Sequence, residues 1–353
     1  MNLRYQNVRI GALGYSLPDE IMTSLELEAR LAPLYKRLRL PEGRLELMTG
    51  IRERRFWPAG MLPSEKSVVS GEKAIAASGI DRREIGLLIH ASVCRDHLEP
   101  ATACSVHHHL GLPSECLIYD VSNACLGILN GMVQAANMIE LGQIRAGLVV
   151  GTEGGRALVE TTIDWLNRSE SLTRDEMKLA VASLTIGSAS AAVLLTHKDL
   201  SDTGPRLTAA SARANTEHHR LCHSGRDEAA ADMRPLMTTD SEQLLLQGVA
   251  TGEPTFQSFL KNTGWTREEI SRTFCHQIGS AHRKLMLQTL GLPLDRDFTT
   301  VEWLGNTGSA ALPVTMALGL EQQPATAGEK IALLGIGSGI NCLMLAVEGQ
   351  GRL

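Results

Sequence analysis

Ser78-Gly79-Ile80-Asp81-Arg82-Arg83-Glu84-Ile85 is echoed further along the chain by Thr263-Gly264-Trp265-Thr266-Arg267-Glu268-Glu269-Ile270, at an offset of 263 − 78 = 185 positions. Each copy reads as a turn and helix start just ahead of an apolar strand, Gly86 to Ala91 in the first and Arg272 to His276 in the second. Each strand leads to a helix that closes on Leu-Gly-Leu-Pro, at Leu110 to Pro113 and again at Leu290 to Pro293, an offset of 290 − 110 = 180. An internal duplication of this kind decides an architecture more firmly than local propensity does.

The copies continue outward. Tyr119-Asp120-Val121 and Thr300-Val301-Glu302 read as short buried strands leading to Cys125 and Asn306, with 306 − 125 = 181. A mostly apolar helix follows each, Cys125 to Leu141 and about Ser309 to Leu320, and then a strand, Ala146 to Val150 and Lys330 to Leu334. Apolar residues surround both helix axes, which predicts burial on all sides. Gly127, Gly131 and Ala135 make a small-residue ridge suited to close helix contact. Strands alternating with helices in two copies predict an α/β fold of mixed sheets covered on both faces. The halves, 1–200 with Cys125 and 201–353 with His276 and Asn306, are expected to pack about a pseudo-twofold axis. Arg156 to Leu179, charged and helical, and Ala212 to Val249, polar and histidine-bearing, break the repeat and read as insertions over the substrate entrance or at a subunit interface.

The 353 residues are 43% apolar, enough for a substantial core. A formal charge of −5 without long runs of one sign favours neither nucleic acid nor an anionic membrane surface. The N-terminal MNLRYQNVRIGALGYSLP lacks the apolar core of a secretory signal, and no stretch approaches the roughly 20 apolar residues of a membrane span. The seven cysteines are scattered and never spaced Cys-x-x-Cys, which points to free thiols in a reducing cytoplasm.

Cys125 sits in Asp120-Val121-Ser122-Asn123-Ala124-Cys125-Leu126-Gly127, where a strand turns into a helix. Helix N-terminal amides favour the thiolate and are expected to lower its pKa below about 8.5. Taken alone, Cys125 could equally be an inert core thiol. His276 closes an apolar strand, as either a hydrogen-bonded structural residue or a proton carrier and oxyanion donor. Asn306, in Gly305-Asn306-Thr307-Gly308-Ser309, is either a helix cap or an amide donor to an enolate oxygen. Gly335-Ile336-Gly337-Ser338-Gly339 lacks the Gly-x-Gly-x-x-Gly order of a dinucleotide loop and runs into another strand, Asn341 to Val347. A tight turn offering amides to an oxyanion fits it better. His107 to His109 and the His219 and His223 pair have no partner motif that completes a metal site, so no metal is expected.

Together these residues resemble the thiolase superfamily, within it the ketoacyl-ACP synthase III branch, and most of all the OleA-type acyl-CoA condensing enzymes of bacterial olefin biosynthesis. The carriers are Thr49-Gly50-Ile51-Arg52-Glu53-Arg54, the Asn-Ala-Cys-Leu-Gly elbow, His276, the Asn306 turn and the final Gly-rich turn. The resemblance implies a five-layered αβαβα thiolase fold and a homodimer. It implies Cys125, His276 and Asn306 as the triad of acyl transfer and condensation, with the backbone amides of Cys125 and Ser338 as oxyanion hole. Met48 stands where many synthase III chains carry arginine, so contacts with the CoA nucleotide are expected to differ.

Glu99 separates the olefin type from malonyl-dependent initiation. It lies at 125 − 26 = 99, where the olefin-type enzymes have a glutamate base reaching in from the partner subunit. Malonyl thioesters form their carbanion by losing CO₂, whereas an unactivated acyl-CoA must give an α-proton to a base. The expected activity is therefore non-decarboxylative Claisen condensation of two long-chain acyl-CoA molecules to a 2-alkyl-3-oxo acid. Neither redox nor metal cofactor is required, and other olefin-pathway enzymes are possible partners. The alternatives are a malonyl-ACP-dependent 3-oxoacyl-ACP synthase III and a catalytically silent acyl-binding partner subunit.

Overall fold

The computed structural model describes residues 1–201, 204–224 and 236–350. Among these, ten strands form one hydrogen-bonded sheet, nine of them in a continuous path. From one edge, Leu117–Asp120, Ile85–His90, Ala146–Glu153, Ala189–His197 and Val8–Ser16 belong to the first half. Arg206–Ala214, Asn341–Glu348, Lys330–Gly337 and Ile270–Cys275 continue it from the second, with Asn2–Arg4 added alongside Arg206–Ala214. Both half-sheets are mixed. Ile85–His90 runs parallel to Ala146–Glu153, which is antiparallel to Ala189–His197; Ile270–Cys275 runs parallel to Lys330–Gly337, which is antiparallel to Asn341–Glu348. The halves join where Arg9 pairs with Arg206.

Helices Gly127–Glu140 and Ala311–Gln322 lie between the half-sheets. One apolar cluster joins their side chains to Val149 and Val193 of the first sheet and Phe274, Leu333 and Leu345 of the second. Helices Pro63–Ser78 and Thr102–Leu110 cover the outer face of the first sheet, and Ser241–Thr263 and Ser280–Leu290 that of the second. The result is the αβαβα sandwich of a thiolase fold. Ala311–Gln322 is buried along nearly its whole length, as its all-round apolar sequence requires.

The duplicated signals make the same local structures. Gly111 and Gly291 adopt left-handed φ values of +59° and +69° and end their helices. Leu112 N–H then bonds His107 O at 3.3 Å, and Leu292 N–H bonds Leu287 O at 2.9 Å, the closing bond of a Schellman motif in both copies.

The copies diverge after residue 296. Thr300-Val301-Glu302 is not a strand: Val301–Leu304 is a helical turn, and the counterpart of Leu117–Asp120 is reduced to an isolated bridge between Thr273 and Asp297. Gln277 takes the place of a strand partner: its Oε1 accepts from Thr299 Oγ1 at 2.8 Å and, at 3.2 Å, from the peptide N–H groups of Thr300 and Val301, the backbone donors of this stretch. The helix after the nucleophile begins at Gly127, two residues later than the sequence predicts. Its small residues serve contact with strands: a methyl on Gly131 would fall 2.5 Å from Val149 Cγ1, and one on Gly127 2.9 Å from Ala91 O.

The first insertion forms helices Arg156–Arg168 and Arg174–Leu184, packed on the N-terminal helices Ser24–Arg30 and Ala32–Leu38 through Leu27, Leu34, Ile163 and Leu184. The second contributes the paired strands Cys222–Ser224 and Met237–Thr239 and the start of helix Ser241–Thr263; its residues 225–235 lie outside the described residues. Among the described residues no helix is long and apolar enough to cross a membrane.

Candidate active site

The chain reaches Cys125 through Ala124, whose φ of +46° lies in the left-handed region that residues with a Cβ rarely adopt. Strain of this kind is held only where surroundings over-determine it. Here Asn123 does so. Its Nδ2 donates to Asn130 Oδ1 at 2.7 Å, and its Oδ1 accepts from Asn341 Nδ2 at 3.3 Å, tying the elbow to the turn after Lys330–Gly337. A methyl placed on Gly337 would lie 3.1 Å from Leu126 Cγ and 3.7 Å from Cys125 N, so that glycine lets the turn bearing Ser338 close on the nucleophile.

His276 extends strand Ile270–Cys275 by one bond, its peptide N–H reaching Leu334 O at 3.0 Å. The ring is 6% exposed, and neither nitrogen has a hydrogen-bond partner among the described residues. Burial, with His282 adding to it, pulls its pKa down to about 4, so at neutral pH the ring carries one N–H and one lone pair. Leaving both unpaired is costly, on the order of 1–3 kcal/mol each, unless a ligand satisfies them.

Asn306 is locked by its backbone. Its N–H donates to Thr185 O, and its carbonyl accepts from Gly187 N–H, both at 2.9 Å. Its side-chain Oδ1 accepts from Gly308 N–H at 3.0 Å, which assigns the amide and leaves the NH₂ as its donating end.

Cys125, His276, Asn306 and Ser338 line one cavity of about 560 Å³. Its remaining wall is largely hydrocarbon, with Leu158, Ile186, Leu244, Leu245, Met286 and Ile336 among its residues. Both stretches that interrupt the repeat reach it, through Ala157 and Leu158 and through Cys222, His223 and Leu244. A neutral histidine, an amide donor and a thiol in an apolar chamber suit acyl transfer and enolate chemistry.

The thiol departs from expectation. The pKa of Cys125 is pushed up to about 12, first by burial and then by the charges of Glu153 and Cys222, with a backbone hydrogen bond opposing them. Desolvation disfavours the charged form more than nearby amides favour it. At neutral pH Cys125 is therefore a thiol and not the thiolate that the helix end alone would favour.

Glu99 is exposed and lies outside this cavity, on a segment whose earlier residues Val93 and Cys94 line the wall. Arg52, Arg54 and Arg55 also stay out of it. Arg54 is fully buried and donates to Ser24 Oγ and Met22 O, while Arg52 pairs with Glu302 at 3.0 Å on the surface. No group of three His, Cys, Asp or Glu able to hold a metal occurs among the described residues. Glu153 and His282 also line the cavity, and the sequence did not single them out. Glu153 had a faint signal, an acid ending an apolar strand as His276 ends another.

A cysteine elbow and an asparagine on matching turns of a duplicated five-layer fold, with a histidine from a strand end in the same cavity, define a condensing enzyme of the thiolase class. The thiolase N-terminal domain family matches residues 63–199, and the C-terminal domain of 3-oxoacyl-[acyl-carrier-protein] synthase III matches residues 260–348. An acyl-CoA:acyl-CoA alkyltransferase of Shewanella oneidensis is 42% identical over 98% of this chain and 100% of its own, and one of Xanthomonas campestris is 34% identical over 97% and 99%. A crystal structure of a cysteine-to-serine variant of Xanthomonas campestris OleA, with bound lauric acid and lauroyl-CoA, superposes with a TM-score of 0.91 at 34% identity, covering 98% of this chain and 99% of that one. The chain belongs to the acyl-CoA:acyl-CoA alkyltransferase family and is an acyltransferase.

Proposed function

We propose that this enzyme joins two fatty acyl-CoA molecules without decarboxylation, through a thioester on Cys125, to give a 2-alkyl-3-oxo acid. The observation that carries the reading is His276, a neutral ring with two unpartnered nitrogens sharing an apolar cavity with Cys125 and Asn306. The names of the two relatives and the lauroyl-CoA bound by the Xanthomonas campestris protein support long acyl-CoA as substrate.

In the first half-reaction Cys125 Sγ attacks the acyl carbonyl as His276 accepts the thiol proton. The amides of Cys125 and Ser338 hold the oxyanion, and CoA leaves as the thiol with that proton. The acyl chain lies against the hydrocarbon wall, where each buried methylene contributes about 0.8 kcal/mol. In the second, Glu99 removes the α-proton of another acyl-CoA, and His276 and Asn306 donate to the enolate oxygen. The α-carbon then attacks the Cys125 thioester, forming the carbon–carbon bond and expelling the Cys125 thiolate, which is reprotonated as Glu99 gives up the proton it took. Water cleaves the resulting 2-alkyl-3-oxoacyl-CoA to the acid and free CoA. The scheme needs no group beyond the CoA thioesters, and its product would pass to olefin-forming enzymes in the cytoplasm. The duplicated halves, 1–200 and 201–353, divide the labour: the first brings the nucleophile, the second His276 and Asn306.

Because Glu99 is exposed and outside the cavity of its own chain, the base would come from a second copy in a homodimer. Two features support this. Leu117–Asp120 is an open sheet edge with Leu117 half exposed, and Val93 and Leu98 expose apolar surface on the segment that carries Glu99.

The test is mass spectrometry of the products from a single long acyl-CoA, with and without malonyl-ACP. A 2-alkyl-3-oxo acid, or the ketone left by its loss of CO₂, formed from acyl-CoA alone is expected. Product formed only with malonyl-ACP would replace the reading with the synthase III alternative, and no product under either condition would favour a silent subunit.

A further inference from the structure

The cavity holds a second carboxylate, and the proposed mechanism does not use it. Glu153 ends strand Ala146–Glu153 and is 5% exposed. Its Oε1 accepts from Val93 N–H at 3.0 Å, Ser309 N–H at 3.2 Å and Ser309 Oγ at 2.6 Å, and its Oε2 accepts from Cys94 N–H at 3.3 Å. All four partners donate, as an acceptor-only carboxylate requires, and none is a cation. Burying such a group costs stability unless its bonds are kept, so its placement constrains what it touches.

What it touches are two separate parts of the machinery. Val93 and Cys94 begin the segment that ends at Glu99; Ser309 closes the turn that carries Asn306. Gly308, at φ +56°, lies so close that a methyl on it would fall 3.0 Å from Glu153 Cγ. On the other side of the same turn, a methyl on Gly305 would fall 3.2 Å from Cβ of the buried Arg54. The Asn306 turn is thus packed between the buried Glu153 carboxylate and the stem of the buried Arg54.

We infer that Glu153 is a positioning residue for condensation, its carboxylate fixing the Asn306 turn and the Glu99 segment in one register beside Cys125. This deepens the condensation reading and rests on it. Three of the four bonds of Glu153 fall on Oε1, and Oε2 accepts only the Cys94 N–H. Its charge also acts on the nucleophile, being the largest cause after burial that keeps Cys125 protonated at rest. The other titratable groups lining the cavity are Cys94, Cys222, His223, His276, His282 and Arg283.

The test uses Glu153→Gln, Glu153→Asp and Ser309→Ala in the full-length enzyme. Glutamine keeps the shape but removes the charge and turns one amide hydrogen-bond donor against the peptide N–H groups. The pH midpoint of Cys125 alkylation by iodoacetamide should drop by about one unit, the scale on which a neighbouring like charge acts. Condensation should fall at least tenfold, while single-turnover acylation of Cys125 stays within threefold. Glu153→Asp, which restores the charge, should return the alkylation midpoint towards the wild-type value. Should Glu153→Gln not fold, Ser309→Ala keeps the charge and cuts one tether, and should slow condensation with the midpoint not lowered. A wild-type midpoint in Glu153→Gln, or wild-type condensation in Ser309→Ala, overturns the assignment. A wild-type enzyme that fails to condense acyl-CoA at all, yet shows the midpoint shift, sinks the condensation reading and leaves the charge effect standing.

Discussion

Adding one methyl group at Gly131 should weaken the central layer by an amount that a second substitution can recover. The new Cβ would sit 2.5 Å from Val149 Cγ1, 3.4 Å from its Cγ2 and 3.6 Å from Ile89 Cγ2. Carbon pairs prefer about 3.5–4.0 Å, so the helix or Val149 must give way by about 1 Å. Val149 is fully buried and cannot swing into solvent. Overpacking of this order costs about 1–3 kcal/mol, and replacing a mid-helix glycine by alanine returns about 1 kcal/mol through helix propensity. Gly131→Ala should therefore lose about 1 kcal/mol net, read as a lower urea midpoint at unchanged m. Val149→Ala alone opens a cavity; combined with Gly131→Ala, the cavity receives the new methyl. The double mutant should beat additivity by about 1 kcal/mol or more. Since the same helix carries the Cys125 elbow, single-turnover acylation should slow in Gly131→Ala and recover in the double mutant. Wild-type stability for Gly131→Ala, or strict additivity in the cycle, would refute the reasoning.

Acid should destabilise the enzyme before its carboxylates titrate. His276 and His90 are buried and their pKa values fall to about 4, whereas an unfolded histidine titrates near 6.5. The stability tied to their neutral forms is complete above about pH 6.5. It declines as pH drops towards 4, because only the unfolded chain gains the proton, by about 1.4 kcal/mol per unit for each group. Urea midpoints at pH 7, 6 and 5 check this: His276→Asn, whose side chain does not titrate, should flatten the slope, and a slope that it leaves unchanged would count against the part of His276 in it. Cys125→Ser should leave no acyl-enzyme in intact-mass spectra after incubation with acyl-CoA, an unactivated hydroxyl being a far poorer nucleophile; acyl mass retained by the mutant would remove the assignment. Mixing Cys125→Ala with Glu99→Gln chains under exchange should restore part of the activity through sites that combine one intact cysteine with one intact glutamate. No recovery despite demonstrated heterodimers would argue against a shared site.

The duplication was legible because its carriers are local. Leu-Gly-Leu-Pro closes two helices in the same way, and apolar runs mark the strands of both halves. What escaped depended on side chains distant in sequence. Thr300-Val301-Glu302 stands where the repeat places a strand, yet the Gln277 side chain takes two of its peptide N–H groups. The direction of the Cys125 shift was misread for the same reason: the helix end is visible locally, whereas full burial and the charge of Glu153, 153 − 125 = 28 residues on, are not. Cys125 and Asn306 fell into one cavity as their equivalent positions in the repeat suggested, and His276 joined them from the end of its strand; Glu99 is not among the residues that line it.

The most direct test of the account is Glu99→Gln followed through both half-reactions with one long acyl-CoA. Glutamine is nearly isosteric but cannot take a proton as a carboxylate does. The Cys125 thioester should therefore form at close to the wild-type rate and accumulate in quenched intact-mass spectra. Condensation should fall by about 10²-fold or more, the usual scale for losing a positioned base, with α-deuterium exchange of the substrate falling in parallel. Condensation of two acyl-CoA molecules by Glu99→Gln at the wild-type rate would contradict the account.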